Sequence, residues 1–236
     1  MDSAPAGVES TDLPPIKTVE TLPELWRVST LDTGTKFSEI TALDAPRIHA
    51  GNRFDVPGGG VLYCCTQVRG SFAETMSRYR VRPDSAVAIA AAKDTSHGFM
   101  APGNLPADWR AQRRKFLVQL SDPLPFVDVE HEETRAYLQV AMAPVLAMHG
   151  VPELDVAAIR GNNRLLSRDI AKWVYQAEDD DGKPKYSGIR YVSRHGDYEC
   201  WAIFDGTDVG ECSHRPIEKN DTDMKAIAQL FRITVH

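Results

Sequence analysis

Apolar residues recur along this chain at every second position in some stretches and every third or fourth in others, and the order of these stretches restricts its architecture more than any other feature. "ELWRVST" and "GVLYCCTQV" carry the β-formers of short strands, and "FLVQL" continues the type. "GIRYVS", "ECWAIFD" and "LFRITV" supply three later strand candidates, separated by Gly/Asp-rich turns. Helical patterns fall between them. "SFAETMSRYR" reads as a helix capped by Ser71, and "HEETRAYLQVAMAPVLAMHG" as an amphipathic helix with Leu138, Met142, Val145 and Met148 on one stripe and Gly150 at its end. Asn162 or Asn163 can cap another helix, whose apolar face is Leu166, Ile170, Trp173 and Val174 and which "EDDDGKP" breaks. "SAVAIAAA" suits a buried strand or a helix and is assigned to a strand. Strands and helices are interspersed without regular βαβ alternation and without an internal repeat, so the predicted class is α+β.

Composition limits what such a chain does. Its 236 residues are 42% apolar and 25% charged, enough for one sizeable domain. Residues 1–20 mix Pro, Ser, Thr, Ala, Asp and Glu without periodicity and read as a disordered leader, leaving residues 21–236 as a single domain. A net charge of -6 with no Lys/Arg arm argues against nucleic acid as a partner. No apolar run approaches the roughly 20 residues that span a bilayer, and the N-terminus lacks a signal peptide's basic and apolar segments, so the expectation is a cytoplasmic chain that enters no membrane. Cys64 and Cys65 point to opposite faces of a strand, and Cys200 and Cys212 lack C-x-x-C spacing, which suits reduced thiols. A zinc set of Cys200, Cys212 and His214 matches no standard pattern, and no metal is expected.

The chemistry candidates sit at strand edges. "GNRFDVPGGGVLY", residues 51–63, packs an arginine, four glycines and a proline against the start of a strand. So many glycines suggest a backbone that passes close to something other than itself, or simply a long irregular connection. Arg53 and the N-H groups freed there could hold a phosphate, although no Walker or dinucleotide fingerprint follows. Arg27 lies mid-strand, facing solvent or a cleft. Tyr63 is either core or a flat face for an aromatic ligand. Ser71-Phe72-Ala73-Glu74 spells a capping box, which gives Glu74 a structural explanation beside any catalytic one. Ser193 ends a strand before Arg194 and His195, a place that suits a cleft edge or a routine turn, and His195 could titrate near neutrality. The basic residues of "WRAQRRK" at 109–115 and the stripe Arg164, Arg168 and Lys172 read as solvated faces, and His131, Glu132 and Glu133 suit a first helical turn.

Together these residues resemble the signature of the RES-domain family, named for its Arg, Glu and Ser. "AGNRFDVPGGGVLYCCTQVRGSFAE" carries Arg53, Tyr63 and Glu74 in order, "LWRV" is similar to the family's opening strand, and "LDVAAIRGNNRLLSRDIAKWVY" with "YSGIRYVSRHGDYECWAIFD" resembles the second half of the domain, Ser193 standing in the serine position. The family's common Gly-Arg-Trp is Asn52-Arg53-Phe54 here, and the chain adds a longer middle region and a C-terminal tail. The resemblance implies an ADP-ribosyltransferase-like mixed β core with flanking helices. It implies NAD+ as substrate with no resident cofactor, and inorganic phosphate as one candidate co-substrate. It also implies a toxin whose site a small helical antitoxin covers. Arg27 and Arg53 would then bind phosphates, Tyr63 would pack on nicotinamide, and Glu74 would face the ribose. Ser193 would hydrogen-bond in the site, and the glycines would admit the dinucleotide. A mono-ADP-ribosyltransferase acting on protein and a non-catalytic nucleotide-binding or partner-binding module on the same fold are the alternatives.

Overall fold

The computed structural model describes residues 14–81 and 103–236. The first part of the expected leader and the "SAVAIAAA" strand lie outside the described residues. In chain order the described elements are β1 (Thr18–Val19), β2 (Leu25–Thr30), β3 (Ser38–Glu39), β4 (Gly60–Cys65), α1 (Val68–Met76), β5 (Asn104–Leu105), α2 (Ala107–Gln112), β6 (Arg113–Leu120) and β7 (Phe126–Asp128). They continue as α3 (Glu132–Ala141), α4 (Ala143–Met148), α5 (Val156–Arg160), α6 (Arg164–Tyr175), β8 (Gly188–Val192), β9 (Glu199–Phe204), β10 (Val209–Pro216), α7 (Thr222–Phe231) and β11 (Thr234–Val235). No described helix is long and apolar enough to cross a membrane.

Nine strands form one mixed sheet in the order β1-β7-β8-β9-β4-β2-β6-β10, with β3 beside β4; β7 and β8 run parallel and the other pairs antiparallel. The fold is α+β, as the interspersed pattern predicts. Alternation along β4 divides its side chains between two cores. Val61 and Cys65 join Leu138, Leu146, Ile170 and Val174 under the helices α3 to α6, whereas Leu62 and Cys64 join Phe116, Val118, Trp201 and Ile203 on the other face. A third cluster packs Phe72, Ala73 and Met76 of α1 against Met224, Ile227, Ala228 and Phe231 of α7.

Three local expectations are corrected. Ser71 caps nothing: α1 begins at Val68 after Gln67, and the Ser71 hydroxyl donates to the Trp26 carbonyl at 2.7 Å. The capping box is therefore absent, because Ser71 is the fourth residue of α1 and not its N-cap. The long amphipathic helix is two helices that meet at Met142, where Pro144 lacks the N-H that a continuous helix needs. Its buried stripe is Leu138, Met142 and Leu146, while Met148 is 75% exposed. "LFRITV" is mostly not a strand. Asp221 accepts from the N-H groups of Asp223 and Met224, and the apolar spacing of the following residues carries α7 through Phe231 before the left-handed Arg232 stops it. Only Thr234–Val235 pairs, with β5. β10 was invisible to pattern reasoning because nearly all of its residues are exposed.

Candidate active site

The loop between β3 and β4 carries Arg53, and two buried devices fix its shape. The first comes from α6. Arg168, only 2% exposed, donates through Nη1 to the carbonyls of Ala45 (2.8 Å) and Arg47 (3.0 Å) and through Nη2 to that of Ala50. One turn earlier, Arg164 Nη1 reaches the carbonyls of His49, Ala50 and Gly51 at 2.9, 3.2 and 2.6 Å. These two arginines are therefore loop anchors, not the solvated stripe the sequence suggests. Asn163 does cap their helix, accepting from the Leu166 N-H. The second device is Asp55, a buried carboxylate on which three donors converge: the Asn52 N-H (2.5 Å), Asn52 Nδ2 (3.3 Å) and the Tyr63 hydroxyl (2.7 Å).

The glycines of this segment serve the chain's own packing. Gly51 has φ +56°, and a Cβ there would collide with Asp55 Oδ2. A Cβ on Gly59 would lie 3.0 Å from the Tyr175 ring, and one on Gly60 2.8 Å from Phe37 Cβ. None of the four glycines lines the cavity described next. Close contacts with the chain's own residues account for Gly51, Gly59 and Gly60, and a left-handed φ of +86° accounts for Gly58, which has open space beside it.

A cavity of about 340 Å³ opens beside this loop, lined by Arg27, Arg53, Tyr63, Glu74, Tyr191 and His195 among others. The sheet order explains the assembly. β2 and β4 are neighbours and present Arg27 and Tyr63, β8 presents Tyr191, and α1 follows β4 directly to present Glu74. Arg53 is 9% exposed, with its guanidinium 5.0 Å from the ring centroids of both Phe54 and Tyr191. Its Nε and Nη2 have no hydrogen-bond partner among the described residues. Arg27 donates through Nη1 to the Tyr63 carbonyl at 2.8 Å, and its Nε is likewise buried without a partner. The Glu74 side chain, half-buried on the cavity wall, makes no hydrogen bond or ion pair with the described residues.

Electrostatics follow from this packing. Burial, reinforced by the charge and hydrogen bond of Asp55, pushes the Tyr63 phenol well above its ordinary value, so it stays protonated and keeps donating to Asp55. Burial lowers the His195 imidazole below its ordinary value against the opposing pull of Glu74, with Arg194, Arg80 and Arg53 lowering it further. Burial pushes the Cys64 thiol up to about 12. Cys65, on the wall, faces Cys200 across the β4–β9 pair with their sulfurs 3.3 Å apart. Cys212 lies in β10, several strands away from β9, which does not assemble the zinc set drawn from the sequence.

Four of the five sequence-derived site residues, Arg27, Arg53, Tyr63 and Glu74, line this one cavity. Ser193 stands one layer behind it: 2% exposed, its hydroxyl accepts from the His195 N-H at 3.0 Å and its own N-H donates to the Tyr198 carbonyl at 2.8 Å. It shapes the turn that carries His195 onto the wall. Asp55, Arg164 and Tyr191 were missed, since nothing local distinguishes them; for Asp55 the only signal was a carboxylate inside the "NRFDVP" stretch. In the basic cluster, Trp109 is buried beneath Arg113, and Lys115 pairs with Asp221 at 2.5 Å, so two of its cations are structural.

Comparison with curated proteins returns no match. The family model described as the RES domain matches residues 24–223, the span that contains every wall residue named above. This chain belongs to the RES-domain family.

Proposed function

We propose that the cavity binds NAD+ and breaks the bond between its nicotinamide and ribose. Arg53 carries the reading: a guanidinium nine-tenths buried between two aromatic rings, with two nitrogens that no described protein group accepts from. Leaving such donors unpaired costs on the order of 1–3 kcal/mol each, so an anion belongs there. The paired oxygens of a pyrophosphate suit the planar fork, and Arg27 adds a second cation. Tyr63, its hydroxyl tied to Asp55, offers a ligand its ring face, which suits nicotinamide. Cleavage develops oxocarbenium character on the ribose, and the unpaired Glu74 carboxylate stabilises that charge. Nicotinamide departs neutral and needs no strong acid. At about 340 Å³ the cavity lies near the lower end of small-molecule sites, a size for the reacting half of the dinucleotide with the remainder over the rim. Membership of a family whose characterised toxins degrade NAD+ supports the same conclusion.

The test is incubation of the purified protein with NAD+, with and without inorganic phosphate. Free ADP-ribose identifies hydrolysis, phosphate-dependent loss identifies phosphorolysis, and label transfer to protein identifies a transferase. An unchanged NAD+ pool refutes the reading. As the toxin of a pair with a small helical antitoxin, the chain expressed alone arrests growth while cellular NAD+ falls.

A further inference from the structure

We propose that His195 is the general base that takes the proton from an attacking water, which makes this site a hydrolase in its own right; the inference rests on the NAD+ reading above. Its support is positional. His195 shares the cavity wall with Glu74, and its ring nitrogens make no hydrogen bond with the described residues. Its backbone is fixed by the Ser193 hydroxyl, and its ring packs edge-on to Phe231 of α7, centroids 6.3 Å apart. Gly196 has φ +155°, and a Cβ there would lie 2.7 Å from the Tyr198 ring, so the turn has little freedom.

The two ionisable groups have incompatible tasks, which divides the labour. A carboxylate that stabilises a cationic ribose must keep its charge while the cation forms, so Glu74 cannot also accept the proton. His195 can. The charged groups around it are Glu74 from α1, Arg53 from the β3–β4 loop, Arg80 beyond α1 and Arg194 beside it, and α7 adds only the apolar Phe231. Burial and the three arginines hold the ring neutral, ready to accept, and Glu74 stabilises the imidazolium once the proton arrives. In the step, water oxygen bonds to the ribose anomeric carbon, the electron pair of the N-glycosidic bond goes to the nicotinamide ring nitrogen, and the water proton goes to His195. ADP-ribose, nicotinamide and one proton, later released to solvent, are the products. Phosphate as hydrogenphosphate attacks through an oxygen that is already ionised, so phosphorolysis requires no base.

That asymmetry supplies the test. Wild type and His195→Gln are assayed for nicotinamide release between pH 5 and 8, with and without phosphate, and each variant is checked by thermal melting. Hydrolytic kcat should fall about 100-fold or more in the variant with little change in KM for NAD+, while phosphate-dependent cleavage is retained. The wild-type hydrolysis rate should drop at low pH as the ring protonates, and the variant should lose that limb. His195→Ala should recover hydrolysis on addition of imidazole. Equal loss of both reactions, an unchanged hydrolytic rate and pH profile, or a wild type that cleaves only with phosphate each overturns the role of His195. A wild type that releases no nicotinamide under any condition overturns the NAD+ reading itself.

Discussion

Asp55 holds the candidate site together, and its replacement tests that claim through an interaction rather than a single loss. Its carboxylate accepts from the Asn52 N-H, Asn52 Nδ2 and the Tyr63 hydroxyl, with no donor required of it. Asp55→Asn preserves shape but turns one acceptor into an NH2 group that faces a donor. One buried polar group is then unsatisfied, at about 1–3 kcal/mol. For a chain of this length each kcal/mol lowers Tm by roughly 2–4 °C, so the variant should melt about 2–12 °C below wild type. Tyr63→Phe alone removes one of the three donors and should cost about 1 kcal/mol. In the double variant the two Asn52 donors remain: the amide oxygen serves the Asn52 N-H, and the exposed Asn52 side chain can turn its own amide oxygen towards the new NH2. The conflict is relieved. The combined loss should therefore be smaller than the sum of the single losses by about 1 kcal/mol, measured by urea titration with a double-mutant cycle. Strict additivity would show that Tyr63 and Asp55 do not share a proton-limited network, and the account of how the Arg53 loop is fixed would fail with it.

Glu74→Gln should melt near wild type, because the carboxylate makes no hydrogen bond or ion pair with the described residues, yet lose on the order of 100-fold in NAD+ cleavage; near-normal turnover in a folded variant would remove Glu74 from the chemistry. Arg53→Lys keeps the charge but not the fork or the flat face stacked between Phe54 and Tyr191, and calorimetry should show NAD+ binding weaker by about 1–3 kcal/mol, with unaltered affinity as the contrary result. Because His195 titrates below its ordinary value in the folded chain, the unfolded chain binds more protons just below pH 6.5, so stability should fall as pH drops through that range and be insensitive to this group above it. His195→Gln should flatten that slope, and an identical pH-stability curve would count against the burial of the ring.

What could be read from the sequence was whatever depends on neighbours along the chain. β4 and β9 announce themselves because alternate residues meet different cores, and Asn163 announces a helix start because a cap acts within three residues. Arg53, Tyr63 and Glu74 fall within one run whose spacing could be matched as a pattern. Features that depend on distant partners were hidden. Arg168 looks like part of a wet helical stripe until the loop at 45–50 closes over it, and Asp55 looks like a loop residue until Tyr63 turns its hydroxyl back across the strand. Ser71 was misread because α1 starts three residues earlier, at Val68, which places it inside the helix with its hydroxyl donated to the Trp26 carbonyl.

The same distinction bears on where the functional unit ends. The family match stops at residue 223, just inside α7, yet Met224, Ile227, Ala228 and Phe231 of that helix bury Phe72, Ala73 and Met76 on the back of α1. The cavity-facing side of α1 carries Glu74, and Phe231 also meets the ring of His195. A helix of which only the first two residues fall inside the matched span therefore backs Glu74 and His195 of the cavity wall. Asp221 and Asp223 fasten its start to Lys115 of β6 and Arg69 of α1 at 2.5 and 3.1 Å, and the Lys115 pair is largely withdrawn from solvent. The position of Glu74 relative to Arg27 consequently depends on α7 being docked, because α1 has the β-sheet on one side and α7 on the other. The tail that resembles an appendage in the sequence packs, through α7, behind the helix that carries Glu74 and against the ring of His195.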